Sequence, residues 1–131
     1  LMCAILGGTA SSKLFCNVRE KQSLCYYCSS RFDRNKGILT VDSGVESENI
    51  EKAEQGIIKE IDDMKNGLIT DFEIEAAKKA MINMFYSTND TVSGFKRMEE
   101  LSNDINGVTK EQIVNSANKL TLDTVYTLKN K

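Results

Sequence analysis

Ser11-Ser12-Lys13-Leu14-Phe15-Cys16-Asn17-Val18-Arg19-Glu20-Lys21-Gln22-Ser23-Leu24-Cys25-Tyr26-Tyr27 reads as an amphipathic helix that runs straight into a strand. Leu14, Phe15 and Val18 fall at helical spacing and form a buried stripe. The helix is expected to start near Ala10 or Ser11, after the break at Gly7-Gly8, and to end near Gln22. Leu24 to Arg31 follows as a strand with Leu24, Tyr26 and Cys28 on one face. Arg19 and Tyr26 flank the junction, so a helix-end guanidinium and a strand-borne phenol can point into one cleft. Together they would offer several donors to a carbonyl oxygen or oxyanion. The alternative is that Arg19 pairs with a Glu on its own helix and Tyr26 is a core tyrosine with a satisfied hydroxyl.

Working outward, Met2 to Leu6 reads as the end of an earlier helix. Downstream, a polar turn through Asp33, Asn35 and Gly37 leads to a second strand, Ile38 to Ser43, which makes an antiparallel hairpin. Asn49 to Met64 is a helix with Ile50, Ala53, Ile57, Ile58, Ile61 and Met64 at helical spacing and Asn66-Gly67 as its stop. Thr70 and Glu73 form a capping box, and Ile69 can staple onto Ile74. That helix carries Ile74, Ala77, Met81, Met84 and Phe85 inward until Ser87-Thr88-Asn89-Asp90 interrupts it. A further helix has Val92, Phe95, Met98, Leu101 and Ile105 as apolar positions. A second capping box, Thr109 with Gln112, opens a short helix with Ile113, Val114, Ala117 and Leu120.

Thr121 to Leu128 closes the chain as a third strand, alternating Leu122, Thr124, Tyr126 and Leu128 with other residues. Strands and helices are segregated rather than alternating. The fold class is therefore α+β, a mostly antiparallel sheet covered by helices on one face. Residues 1–131 form one domain. Three strands are few for so much helix, and the chain opens mid-pattern at Leu1. It is expected to be the C-terminal part of a longer multi-domain chain.

At 131 residues the chain is long enough for one real core. A net charge of -2 leaves no basic footprint for nucleic acid. Lys52, Lys59, Lys65, Lys78 and Lys79 lie among acids and read as solvated helix faces. No apolar run approaches a membrane span and no signal-peptide pattern is visible, so no membrane partner is expected.

Cys25-Tyr26-Tyr27-Cys28 has C-x-x-C spacing. However, residues three apart on a strand face opposite sides, and no helix N-terminus is there to activate a thiol. Cys3 and Cys16 would complete a zinc site only at unusual spacing. The four cysteines read as buried and reduced, which favours a reducing compartment, and the parent chain is expected in the cytoplasm.

The chain contains no histidine. Serine or cysteine nucleophiles therefore lack their commonest base. Gly7-Gly8 lacks the spacing of a nucleotide loop. Asp62-Asp63 and Glu99-Glu100 are sequence neighbours that project in different directions. Arg19 and Tyr26 are the candidates that survive.

The segment "LGGTASSKLFCNVREKQSLCYYCSS" resembles the start of the second-domain signature of the insulinase/pitrilysin family of zinc metallopeptidases, which includes the mitochondrial processing peptidases. In that signature a glycine pair precedes a helix ending in Leu-Phe-x-x-Val/Leu-Arg-Glu-Lys, and a Leu-x-Tyr strand follows. Gly7, Gly8, Ser11, Leu14, Phe15, Arg19, Glu20, Lys21, Leu24 and Tyr26 fall into those places. "TDFEIEAAKKAMINMF" resembles a later helix of the family.

The resemblance implies paired α+β domains that form half of a clamshell, with two halves enclosing an extended, unfolded peptide. Zinc and the catalytic Glu are implied in an inverted His-x-x-Glu-His motif of another domain. Accessory catalytic roles are implied for Arg19, toward the substrate carbonyl, and Tyr26, toward the oxyanion. This stretch has no histidine and is expected to hold no cofactor, with zinc in another domain of the parent chain or in a partner. The implied partners are a peptide substrate and an N-terminal or homologous peptidase domain, in a homodimer or heterodimer. Two rival readings stand beside the enzyme part. One is a non-catalytic subunit of a two-chain peptidase, and the other is a peptide-binding module that keeps only the fold, with peptide added at a sheet edge.

Overall fold

The structure, a computed structural model, describes residues 1–88 and 92–129, with the side chains of 88 and 92–96 outside the description. Of the expected break at Ser87-Thr88-Asn89-Asp90, Ser87 and Thr88 are still helical, while Asn89 and Asp90 and the side chains of Val92 and Phe95 fall outside the described residues. Two short π-helical segments, Ala4–Gly8 and Leu14–Lys21, lead into the hairpin β1 (Cys25–Asp33) and β2 (Ile38–Val45). A single turn, Ser47–Asn49, then opens α1 (Ile50–Lys65), followed by α2 (Asp71–Thr88), α3 (Val92–Gly107) and α4 (Lys110–Asn118). No helix among the described residues is long and apolar enough to cross a membrane.

The core sits where the two π-helical segments lie between the hairpin and α1. Ile5, Leu6, Leu14, Val18, Met64 and Ile113 are its largest closed apolar side chains. Gly7 is what lets the first segment approach β1. A Cβ there would lie 2.6 Å from the Ser30 backbone nitrogen and 2.9 Å from Leu14 Cδ1. Across the same contact the Ser30 hydroxyl donates to the Cys3 carbonyl at 2.8 Å. The hairpin turn is held by Asp33, whose Oδ1 accepts from the backbone N–H groups of Asn35 and Lys36 at 3.0 and 3.1 Å.

Both capping boxes form. Thr70 N–H donates to Glu73 Oε2 at 2.7 Å, and Glu73 N–H donates to Thr70 Oγ1 at 3.2 Å. Thr109 N–H donates to Gln112 Oε1 at 3.0 Å, and Gln112 N–H donates to Thr109 Oγ1 at 3.3 Å. Each fixes a helix start by local chemistry alone. Ile69 and Ile74, the expected staple, are both buried in the core cluster. Asn118 Nδ2 donates to the Lys65 carbonyl at 3.0 Å and ties α4 to the end of α1.

Four expectations need correction. Residues 121–128 form no strand, because no ladder partner stands beside them among the described residues. Tyr126 and Leu128 are 81% and 83% exposed there. The sheet has two strands, β1 and β2. On α1 the buried face runs through Ala53, Gly56, Glu60 and Met64, while Ile50, Ile57, Ile58 and Ile61 are half-buried. Val18 of the second segment packs over Gly56, and Asn17 donates to Glu60, so this stripe faces inward. Lys78 is buried rather than solvated, its ammonium donating to the Asn106 carbonyl at 3.0 Å. A long stem lets a buried lysine reach a helix-end carbonyl in this way. Finally, Met84 points outward and is 58% exposed.

Candidate functional site

Arg19 lies near the end of the Leu14–Lys21 segment. Its guanidinium stacks 4.6 Å over the Phe15 ring and faces Glu20 at 3.6 Å. A cation over an aromatic face is held without losing its outward donors. Between this segment and β1 the chain turns through Ser23, which has a φ of +50°. A left-handed non-glycine residue is costly, so this joint has to be fixed by its surroundings. Here the Leu24 N–H donates to the Val18 carbonyl at 3.3 Å, and the Ser23 hydroxyl donates to the Glu20 carbonyl at 3.5 Å.

Tyr26 sits at an irregularity in the hairpin. The register pairs Cys25 with Val45 and Tyr27 with Gly44, leaving Tyr26 between them without a cross-strand partner. Such a bulge re-aims a side chain. Tyr26 is accordingly 65% exposed, which corrects the expectation that it shares a face with buried Cys28. Its hydroxyl donates to the Glu46 carboxylate at the end of β2. Gly44 permits the bulge, because a Cβ there would stand 2.4 Å from the Tyr27 ring. Arg19 and Tyr26 thus flank one junction but rest on separate partners, Glu20 and Glu46. An open groove between the junction and α1 is lined by Gln22, Leu24, Lys52, Gln55, Gly56 and Lys59, and neither Arg19 nor Tyr26 lines it.

The same bulge changes the reading of the cysteine pair. Cys28 belongs to the core cluster and Cys25 packs against it, so the two are not split between opposite faces. Burial pushes the Cys28 thiol up to about 12, the neighbouring Cys25 adds to the rise, and the Ser43 hydroxyl works against it. A thiol held protonated in this way is inert as a nucleophile. All four cysteines are free thiols, with Cys28 buried and the other three half-buried. Among the described residues no cluster of three or more His, Cys, Asp or Glu side chains could hold a metal ion. The donors present among the described residues therefore do not fit a zinc centre.

A family model described as the peptidase M16 inactive domain matches residues 1–81, which include the whole Arg19–Tyr26 junction. The chain belongs to the M16 peptidase family. This M16 domain is 38% identical to "Probable inactive metalloprotease YmfF" of Bacillus subtilis (strain 168), over 95% of the domain and 32% of that protein. It is 30% identical to "Uncharacterized zinc protease YmxG" of the same organism, over 88% of the domain and 32% of that protein. A crystal structure of a conserved protein from Enterococcus faecalis V583 superposes with a TM-score of 0.82 at 31% identity, covering 89% of the domain and 31% of that chain. A protease from Helicobacter pylori shares the fold, with a TM-score of 0.68 at 18% identity over 90% of the domain and 32% of that chain. The domain spans about a third of the length of each relative.

Two features of the M16 domain escaped the sequence reading. One is Glu46, which no local pattern links to Tyr26. The other is a buried ionic link made by Lys13, whose ammonium lies 3.1 Å from Glu73 Oε1 and 3.9 Å from Glu60 Oε2. Asn17 Nδ2 donates to the same Glu60 oxygen at 2.9 Å. Burial alone would raise the Glu73 carboxyl, but the Thr70 N–H and hydroxyl and the Lys13 ammonium outweigh it and hold the group below the usual carboxylate range. The capping role of Glu73 was legible from spacing. Its second role joins the helix that carries Arg19 to α1 and α2, and only the fold brings those three segments together.

Proposed function

We propose that this domain is the C-terminal, substrate-binding part of an M16-type zinc endopeptidase, lending Arg19 and Tyr26 to a peptide that is cleaved elsewhere in the assembly. The observation that carries the reading is the family match across residues 1–81, with both donors flanking one helix–strand junction inside it. Arg19 donates to a substrate carbonyl, and its stacking on Phe15 keeps the guanidinium oriented with little loss of freedom. Tyr26 donates to the oxyanion of the tetrahedral intermediate. Zinc and the general base come from another domain of the parent chain or from a partner subunit. The two-stranded hairpin leaves outer edges where an extended peptide can add by backbone pairing, which selects conformation while tolerating varied side chains.

A second reading is favoured by the similarity to a relative named as a probable inactive metalloprotease. In it the parent chain has no zinc site and serves as the non-catalytic half beside a homologous, histidine-bearing subunit. Elemental analysis of the intact parent chain, purified without added metal, separates the two. One tightly held zinc per chain supports the enzyme part. No zinc after supplementation, together with co-purification of a histidine-bearing homologue, supports the partner half. Peptide binding that Arg19→Ala leaves unaltered overturns both and leaves an interaction module that keeps only the fold.

A further inference from the structure

We infer that the groove between the junction and α1 takes a carboxylate of the bound peptide, so that the domain prefers acidic peptides. The inference rests on the peptide-binding role proposed above and names the chemistry that this role selects. It needs neither zinc nor a catalytic part for Arg19 and Tyr26. Gln22 and Leu24 bring the groove to the junction itself, and the remaining lining residues come from α1.

α1 supplies its share by helical spacing. Lys52, Gln55, Gly56 and Lys59 follow at i, i+3, i+4 and i+7, which places all four on one stripe. Gly56 is buried and Leu24 packs against the core, so these two close the floor. A Cβ on residue 56 would meet Val18 Cγ2 at 3.5 Å and Gln22 Oε1 at 3.6 Å, so glycine keeps that floor open. The exposed walls are the ammoniums of Lys52 and Lys59 and the amides of Gln22 and Gln55. They offer N–H donors and two positive charges, and no carboxylate among the described residues lines the groove. That reverses the balance of the whole chain, whose net charge is -2. α1 is itself rich in acids, but they are placed elsewhere. Glu60 turns inward to Lys13, and Asp63 holds Lys59 from beyond the lining residues. Lys52 forms no ion pair among the described residues, so it is the cation left to attract an anion. The anions of an unmodified peptide are Asp and Glu side chains and the C-terminal carboxylate.

The test measures binding of short, unstructured, fluorescent peptides to the full parent chain at low salt, with a chelator present to prevent cleavage. One peptide has a central Asp and an amidated end, a second has Asn and a free carboxylate, and a third has Asn and an amidated end. One of the two anionic peptides should bind about fivefold more tightly than the third, and which one identifies the source of the carboxylate. Lys52→Gln should remove the preference and Lys52→Glu should invert it. Lys65→Gln, on the same helix but outside the groove, should leave it intact. Added salt should weaken it, since the charges are exposed. Equal binding of all three peptides overturns the carboxylate site and leaves the peptide-binding role standing. A preference that survives Lys52→Glu places the anion elsewhere and overturns the site as well. A chain that binds none of the peptides overturns the peptide-binding role and the site with it.

Discussion

β1 and residues 121–128 both read as strands in the sequence, and they end in opposite surroundings. β1 pairs with β2 along its length and lies against both π-helical segments, where Cys28 closes into the core. Residues 121–128 pair with nothing among the described residues, and Leu122, Val125, Tyr126 and Leu128 all stand in solvent. A strand-like composition therefore marks a segment that can be a strand, while a partner makes it one. Backbone groups gain from a ladder only when the neighbouring ladder exists. The same contrast divides the tyrosines. Tyr26 is exposed yet held at its hydroxyl, by a bulge and by a fixed glutamate, whereas Tyr126 is exposed on a segment with no ladder.

The contrast can be broken first at the ionic link that joins the packed segments. Lys13→Met leaves the buried Glu60 and the half-buried Glu73 without their shared cation and should cost about 3 kcal/mol in urea unfolding. A loss below about 1 kcal/mol would mean that the packed half does not depend on the link. Next comes the core itself. Leu14→Ala should cost about 2–5 kcal/mol, while Leu128→Ala should stay within about 0.5 kcal/mol. Similar losses at the two sites would show the terminal segment packed in solution.

An alkaline titration sharpens the picture at β1. The Cys28 thiol is held up to about 12, so the unfolded chain gives up that proton first, above its ordinary value of 9. Its contribution to stability is complete below that ordinary value and is lost as pH rises through the folded value. The loss should be on the order of 1 kcal/mol near pH 10, and Cys28→Ala should flatten the slope there. The smallest effect belongs to the joint. Ser23→Gly removes left-handed strain but adds chain entropy to the unfolded state, so it should stabilise by under about 1 kcal/mol. A loss instead would show that the serine hydroxyl, not the turn, holds the junction.

What was legible in the sequence was local. The two capping boxes, the Asp33 turn and the Arg19–Tyr26 junction all depend on residues within a few positions of one another. What was missed depends on distant pairs. The bulge at Tyr26 needs Gly44 to admit the Tyr27 ring, and α1 turns Gly56 and Glu60 inward because Val18 and Asn17 lie opposite. Lys78 looked solvated because nothing near it in sequence announces the Asn106 carbonyl. The family signature was readable because its residues all lie close together in sequence, between Gly7 and Tyr26.

The central claim is that Tyr26 serves the transition state of a peptide cleaved by the assembly. The most direct test is steady-state kinetics of Tyr26→Phe in the intact, zinc-bearing assembly. A drop in kcat of about a hundredfold or more with KM little changed is the predicted result. An unchanged kcat would contradict the claim and leave Tyr26 as a surface tyrosine tied to Glu46.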